Sequence, residues 1–209
     1  VRLNRTQGAA VTAVALALLF AGGAVTVASA DRDEAPATPV SSSADAGFAR
    51  DMSVHHQQAV EMSFIVRDRT KDEEVRRLAY DIANTQANQR GMMLGWLDLW
   101  GLPKNESGVE PMTWMGMGVS ADADALDGAL MPGMATDAQL DELRRASGRK
   151  AEVLYLKLMT EHHRGGVHMA EGCVQKCGVD IERNLAQGMV DAQTSEMALM
   201  ADMLRKRGA

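Results

Sequence analysis

One block of residues occurs twice in this chain at a constant offset of 107 positions, and that repetition narrows the fold more than any other feature. The first copy reads Phe48-x3-Met52-x2-His55-His56-x3-Val60-x-Met62, and the second Tyr155-x3-Met159-x2-His162-His163-x3-Val167-x-Met169. The likeness continues downstream: Leu78, Ile82, Gln86, Gln89, Met93 and Leu97 return as Leu185, Met189, Gln193, Glu196, Met200 and Leu204. In both stretches the apolar positions recur three and four apart, the period of an amphipathic helix. Each copy is therefore a helical hairpin. The constant offset makes the two hairpins equal in internal length, and two equal antiparallel hairpins pack most simply as a four-helix bundle with pseudo-twofold symmetry. Alternating β-branched runs are absent, so the expected fold is all-α.

Helices are expected from about Ala46 to Arg69, on to about Trp100, from Thr136 through Ala146, from about Arg149 to Lys176, and, with Asp180 as its cap, a last one through about Lys206. Thr70-x-x-Glu73 and Thr136-x-x-Gln139 read as capping boxes. The inward stripe of the second helix is expected to carry Leu78, Ile82, Gln86, Gln89, Met93, Trp96 and Trp100. Domain one thus spans 45–206, as hairpin one (46–100), a Met-rich connection (101–135) with a short turn at 121–129, and hairpin two (136–206). Ahead of it, residues 31–44 are Ala/Pro/Ser/Asp-rich and read as a disordered tether. Residues 1–30 carry Arg2 and Arg5, an apolar run from Ala9 to Phe20, and Ala28-Ser29-Ala30, the pattern of a cleaved signal peptide. A secreted or extracytoplasmic protein follows, with no stable membrane insertion after cleavage. The formal net charge is −6, and more negative beyond the leader, whose only charges are the two arginines. That excess of acid disfavours nucleic acid as a partner and weakly attracts cations.

Histidine and methionine are both metal ligands, and together they favour soft or borderline ions such as copper. Four of the five histidines occupy matching positions in the two copies of the block. Helical spacing puts Met52, His55 and His56 on adjoining positions of one face, and likewise Met159, His162 and His163. Gln86, Gln89, Gln193 and Glu196 interrupt otherwise apolar stripes and are natural hydrogen-bond partners for the imidazoles. Glu196 would serve as ligand or would orient a ring. Met62 and Met169 extend the stripe. The bland alternative is a core network of His, Gln and Glu with no ion. His168 falls off the stripe and is expected to be solvated.

The connection holds a second thioether group, Met112, Met115 and Met117 around Trp114, with Met131 and Met134 in Met131-Pro132-Gly133-Met134. Two readings stand side by side: a separate Cu(I) site, or a loop lying across the bundle on methionine side chains. Cys173-x3-Cys177 ends the third long helix. A disulfide is the default in an oxidising compartment, with a dithiol copper site or free thiols as alternatives. Catalytic signatures fail on spacing: Glu-x-x-His, His-Glu-x-x-His, the nucleophile elbow, the P-loop and the dinucleotide fingerprint are all absent from the sequence. A metal-dependent redox enzyme therefore ranks below a non-enzymatic binding protein.

The doubled Met-x2-His-His-x3-Val-x-Met signature with Met-Pro-Gly-Met between its copies resembles the bacterial family known as domain of unknown function 305, over about residues 45–206. The resemblance implies a ferritin-like helical bundle and copper handling outside the cytoplasm. The family pattern commonly carries Gln-x-x-Glu on each partner helix. This chain keeps it at Gln193 and Glu196 but has Gln86 and Gln89 in the first half, so the two halves differ in charge at that point.

Overall fold

The computed structural model describes residues 38–117 and 129–209. The expected leader, residues 31–37 of the expected tether and nearly all of the turn expected at 121–129 lie outside the described residues. Five α-helices follow in order: α1 Ala44–Arg69, α2 Glu73–Leu99, α3 Asp137–Arg145, α4 Gly148–Lys176 and α5 Asp180–Lys206, with a 3-10 turn at Thr113–Met115. No strand occurs among the described residues.

The chain is an all-α bundle built from two hairpins, α1–α2 and α4–α5, with α1 and α4 packed against each other at the centre. Their contacts run in opposite directions along the chain: Asp45 reaches Val179, His55 meets His162, and Ser63 Oγ lies 3.0 Å from the Tyr155 hydroxyl. The two helices are therefore antiparallel. Each buries a continuous stripe. Phe48, Met52, His55, Ala59, Met62 and Val66 of α1 are all fully covered, as are Tyr155, Met159, His162, Met169 and Cys173 of α4. Burying a side chain of the Leu, Met or Phe class contributes about 1.5–3 kcal/mol, so these stripes dominate the stability of the central pair.

Local signals differ from expectation at four points. Thr70 does not cap α2. Its backbone is extended and ends α1, and its hydroxyl donates to Glu152 Oε1 at 2.6 Å and accepts from the Asp72 amide at 3.0 Å. Asp72 takes the N-cap instead, accepting from Val75 N at 3.0 Å. A carboxylate three residues ahead of a free amide suits that role as well as a threonine does. Second, Leu97 rather than Trp96 is fully buried in α2. Trp96 stacks on Trp100, both half-buried, with ring centroids 6.4 Å apart. Third, α5 starts at Asp180 with Val179 at its N-cap, so Asp180 is its first helical residue rather than its cap. Fourth, residues 38–44 do not continue the tether. Ser43 caps α1, and Arg50 donates to the Ser41 carbonyl at 2.9 Å and to its hydroxyl at 2.6 Å. A buried guanidinium requires acceptors, and this segment supplies them.

Thr136 and Gln139 form the reciprocal capping box at the start of α3. Ala146 and Ser147 are extended and separate α3 from α4, which begins at Gly148 with φ +53°. No helix among the described residues is long and apolar enough to cross a membrane.

Candidate metal centre

The antiparallel crossing brings the two copies of the motif to one level. The His55 and His162 rings lie 3.8 Å apart between centroids, tilted by 36°. His162 and His163 are 6.4 Å apart. All four motif imidazoles are fully buried, while His168 is exposed.

Each of the four Nε2 atoms has one partner, and every partner is a pure acceptor. His55 Nε2 donates to the Pro132 carbonyl (3.2 Å), and His162 Nε2 to the His55 carbonyl (2.9 Å). His56 Nε2 donates to Gln89 Oε1 (2.8 Å), and His163 Nε2 to Glu196 Oε2 (2.7 Å). In a neutral ring such a contact places the proton on Nε2 and leaves Nδ1 a bare lone pair. All four Nδ1 atoms are buried and without a hydrogen-bond partner among the described residues.

Burial holds three of the rings, His55, His56 and His162, neutral. It pushes His55 down to about 4, against the hydrogen bond to Pro132, which raises it. It pushes His56 down to about 3, helped by the neighbouring His55. His162 is lowered well below the ordinary histidine value by burial and then by the surrounding imidazoles. A neutral imidazole with its other nitrogen donating to a carbonyl or carboxylate is the form that binds metals.

The expected methionines divide into two layers about the imidazoles. Met52 shares an apolar cluster with Met169, Met93 and Met189, whereas Met62 shares one with Met159, Met200 and Met203. The antiparallel crossing causes this: the residue before the histidines in one copy meets the residue after them in the other. Gln86 and Gln193 are buried, with Gln86 Oε1 and both polar atoms of Gln193 unpartnered among the described residues. A Cβ on Gly166 would come within 2.5 Å of Gln193 Oε1, so the bare glycine makes room for that amide. Gln89 is half-buried, and the Glu196 side chain is 25% exposed. The half-sites therefore differ in exactly one charge, Glu196 against Gln89.

The Met-rich connection closes the centre. Met131 and Met112 are buried in the cluster with Met52, and Met115, Met117 and Met134 pack half-buried beside it. Trp114 lies on Gly47, sets its ring edge-on to Phe48 at 5.8 Å, and donates its indole N–H to Asp51 Oδ2 at 2.9 Å. That carboxylate also accepts from Met112 N at 2.7 Å. The thioethers thus lie across the bundle among its apolar side chains. Pro132 and Gly133 cross α4 at Gly165, so closely that a side chain at Gly165 would strike the Pro132 carbonyl. Gln58 clamps the same strap, donating to the Ala135 carbonyl (2.9 Å) and accepting from the Ala135 amide (2.7 Å). Gln58, Pro132 and Gly165 are site residues that the motif reading missed. The adjacent pair Gly165-Gly166 was the available signal, since a helix gives up two side chains only where something approaches closely.

The four histidines do not converge on one point. Among the described residues the one trio of His, Cys, Asp or Glu ligand atoms within 4.8 Å of one another is Cys173, Cys177 and Glu182, and the two sulfurs there are joined as a disulfide. Burial, and next the neighbouring Asp45, push the Glu182 carboxyl up to about 9.

The domain of unknown function DUF305 matches residues 45–204. No curated protein matches the chain. Among solved structures, a DUF305 protein from Streptomyces coelicolor, named as a candidate secreted protein, is 68% identical, with a TM-score of 0.75, over 81% of this chain and 97% of that one. A DUF305 fragment from Deinococcus radiodurans is 28% identical, with a TM-score of 0.65, over 82% and 99%. CopM in its Cu(I)-bound form shares the fold at 20% identity and a TM-score of 0.60, over 78% and 96%, and has also been solved with Cu(II) and with silver. On its motifs, its bundle and these likenesses, this chain belongs to the DUF305 family.

Proposed function

We propose that this protein binds a soft metal ion, copper as Cu(I) foremost, through the paired imidazoles of its two hairpins. The carrying observation is the set of four buried Nδ1 atoms with no hydrogen-bond partner among the described residues. A buried acceptor left bare costs free energy of about 1–3 kcal/mol, so four at one level argue for a ligand. The residues suit a soft ion: imidazoles from His55, His56, His162 and His163, with Met52, Met169, Met62 and Met159 in the flanking layers. Nitrogen donors do not gather in threes here, which favours an ion that accepts low coordination numbers and thioether sulfur. The copper- and silver-bound CopM structures, which share the fold, support the same reading. Glu196 orients His163 and raises the basicity of its Nδ1. The chain works outside the cytoplasm in this reading, consistent with its leader sequence, its disulfide and its named secreted relative.

A second reading rests on a specific observation, the complete pairing of the four Nε2 atoms within the protein. A metal-free polar network could use the same contacts to set the register of the hairpins. The two readings separate by titration with Cu(I) against a competing chelator. Metal binding expects stoichiometric uptake that His55→Ala combined with His162→Ala abolishes while helicity by circular dichroism persists. Uptake that survives in the double variant refutes the imidazole site. A wild-type melting temperature indifferent to Cu(I) supports the network.

A further inference from the structure

A second cluster of chemistry lies where the end of α4, the first turn of α5 and the first turn of α1 meet. Cys173 is fully buried, Cys177 is 4% exposed, and Glu182 is fully buried. The two sulfurs and a Glu182 carboxylate oxygen lie within 4.8 Å of one another. Among the described residues the one polar side chain that acts on the Glu182 carboxyl here is Asp45, from the first turn of α1, which also accepts from the Val179 amide at 2.8 Å. In the oxidised state burial and the Asp45 carboxylate beside it keep the Glu182 carboxyl protonated, and the disulfide brings it no cation to pair with.

The internal repeat supplies a control. Counting back by the repeat offset, the counterparts of Cys173, Cys177 and Glu182 are Val66, Thr70 and Val75. Val66 and Val75 are fully buried and close the same position of the other hairpin by apolar packing. Packing at this corner therefore needs neither a sulfur pair nor an acid. The second half has replaced two valines with groups whose common property is metal ligation.

We propose that reduction of the Cys173–Cys177 disulfide opens a binding site for a thiophilic divalent cation of the Zn(II) or Cd(II) class, with both thiolates and the Glu182 carboxylate as ligands. The site is distinct from the histidine layer and does not depend on it. The spacing of four puts both cysteines on one helical face, within the range of metal-binding cysteine pairs. Cys177 is the extended C-cap of α4 rather than a helical residue, so its side chain can swing away from Cys173 once the bond is broken. The positive N-terminal end of α5 stands beside them, and Arg183 donates to the Cys177 and Gly178 carbonyls at 2.9 Å each. Both favour thiolate over thiol.

The opening step is thiol–disulfide exchange with a dithiol reductant. One reductant thiolate attacks one cysteine sulfur and the Cys–Cys bond breaks, giving a mixed disulfide. The second reductant thiol then attacks that bond. Two electrons and two protons pass to the cysteines, and the reductant leaves as its own disulfide. Cation uptake afterwards releases both thiol protons and the proton on Glu182. While the disulfide stands, the sulfurs are committed to each other and the site is closed.

The test is Cd(II) titration of the purified full chain before and after reduction with a phosphine, followed by thiolate-to-cadmium absorption in the ultraviolet. One equivalent should bind with that absorption after reduction and none before. Cys173→Ser with Cys177→Ser should abolish the absorption. Glu182→Gln should weaken affinity at least about tenfold, in the range seen when a ligand or its support is removed, with both thiols still titratable. Absence of stoichiometric absorption in the reduced wild type overturns the site, and undiminished affinity in Glu182→Gln overturns the glutamate as ligand. Should that variant unfold, the reduced wild type decides alone: Cd(II) must raise its melting temperature after reduction, and no rise refutes the proposal.

Discussion

Acidification from about pH 7 to about pH 4.5 should destabilise the bundle through its buried imidazoles, and the sign follows from where the protons go. In the unfolded chain a histidine takes up its proton near 6.5, whereas in the folded chain His55 does so only near about 4 and His56 near about 3. Below 6.5 the folded state therefore binds fewer protons, and stability that is complete above that value drains as the pH falls. Near pH 4.5 each ring lies about two pH units into this window, which at about 1.4 kcal/mol per unit costs about 2–3 kcal/mol per ring. His162 is displaced the same way and adds to the loss. Glu182 works in the opposite direction. Its carboxyl is held up at about 9 when folded, against 4.5 unfolded. The folded state there holds the extra proton, and the same acidification returns about 3 kcal/mol. Wild type should thus lose a modest amount and Glu182→Gln about 5 kcal/mol or more, against a total stability for such domains of about 5–15 kcal/mol. Urea unfolding followed by circular dichroism at several pH values measures it. Shared contributions from other carboxylates cancel when Glu182→Gln is compared with the same variant carrying His55→Gln and His56→Gln. Parallel profiles for the two would refute the reasoning, because they would mean that the rings protonate in place at no cost.

Gly165→Ala drives a methyl group into the Pro132 carbonyl; a loss of about 2–4 kcal/mol in urea unfolding is expected, the range for overpacking against backbone. Gln58→Ala removes both bonds to Ala135 and should cost about 1–3 kcal/mol, with faster hydrogen exchange at the Ala135 amide than in the bundle helices. Glu196→Gln keeps a partner for His163 but removes its charge, and Cu(I) affinity should fall by about ten- to a hundredfold; unchanged affinity would mean that the carboxylate does not act through the ring. Reducing the disulfide opens a loop closed across only four positions, so the melting midpoint should drop by no more than about 2 kcal/mol of stability, and near-native helicity afterwards is the checkable result.

Spacing along the chain was enough to specify which elements exist and, apart from Trp96 in α2, which face each one buries. Helical periodicity is local, and the repeat offset carries over every spacing within a hairpin, so the bundle, the inward placement of His55 and His162 and the exposure of His168 were all legible. Where neighbouring groups compete, the local signal was ambiguous: Thr70 and Asp72 can each cap a helix, and contact with Glu152 from another hairpin selected between them. Tertiary structure alone decided who meets whom. Antiparallel crossing pairs Met52 with Met169 rather than with its sequence equivalent Met159, because the two copies of the motif run past each other head to tail. It also decided that a backbone carbonyl, that of Pro132, holds His55, and that Glu182 sits against the cysteines. Contacts of that kind depend on the orientation of one helix against another and on close backbone approach, and no spacing along a single chain encodes either.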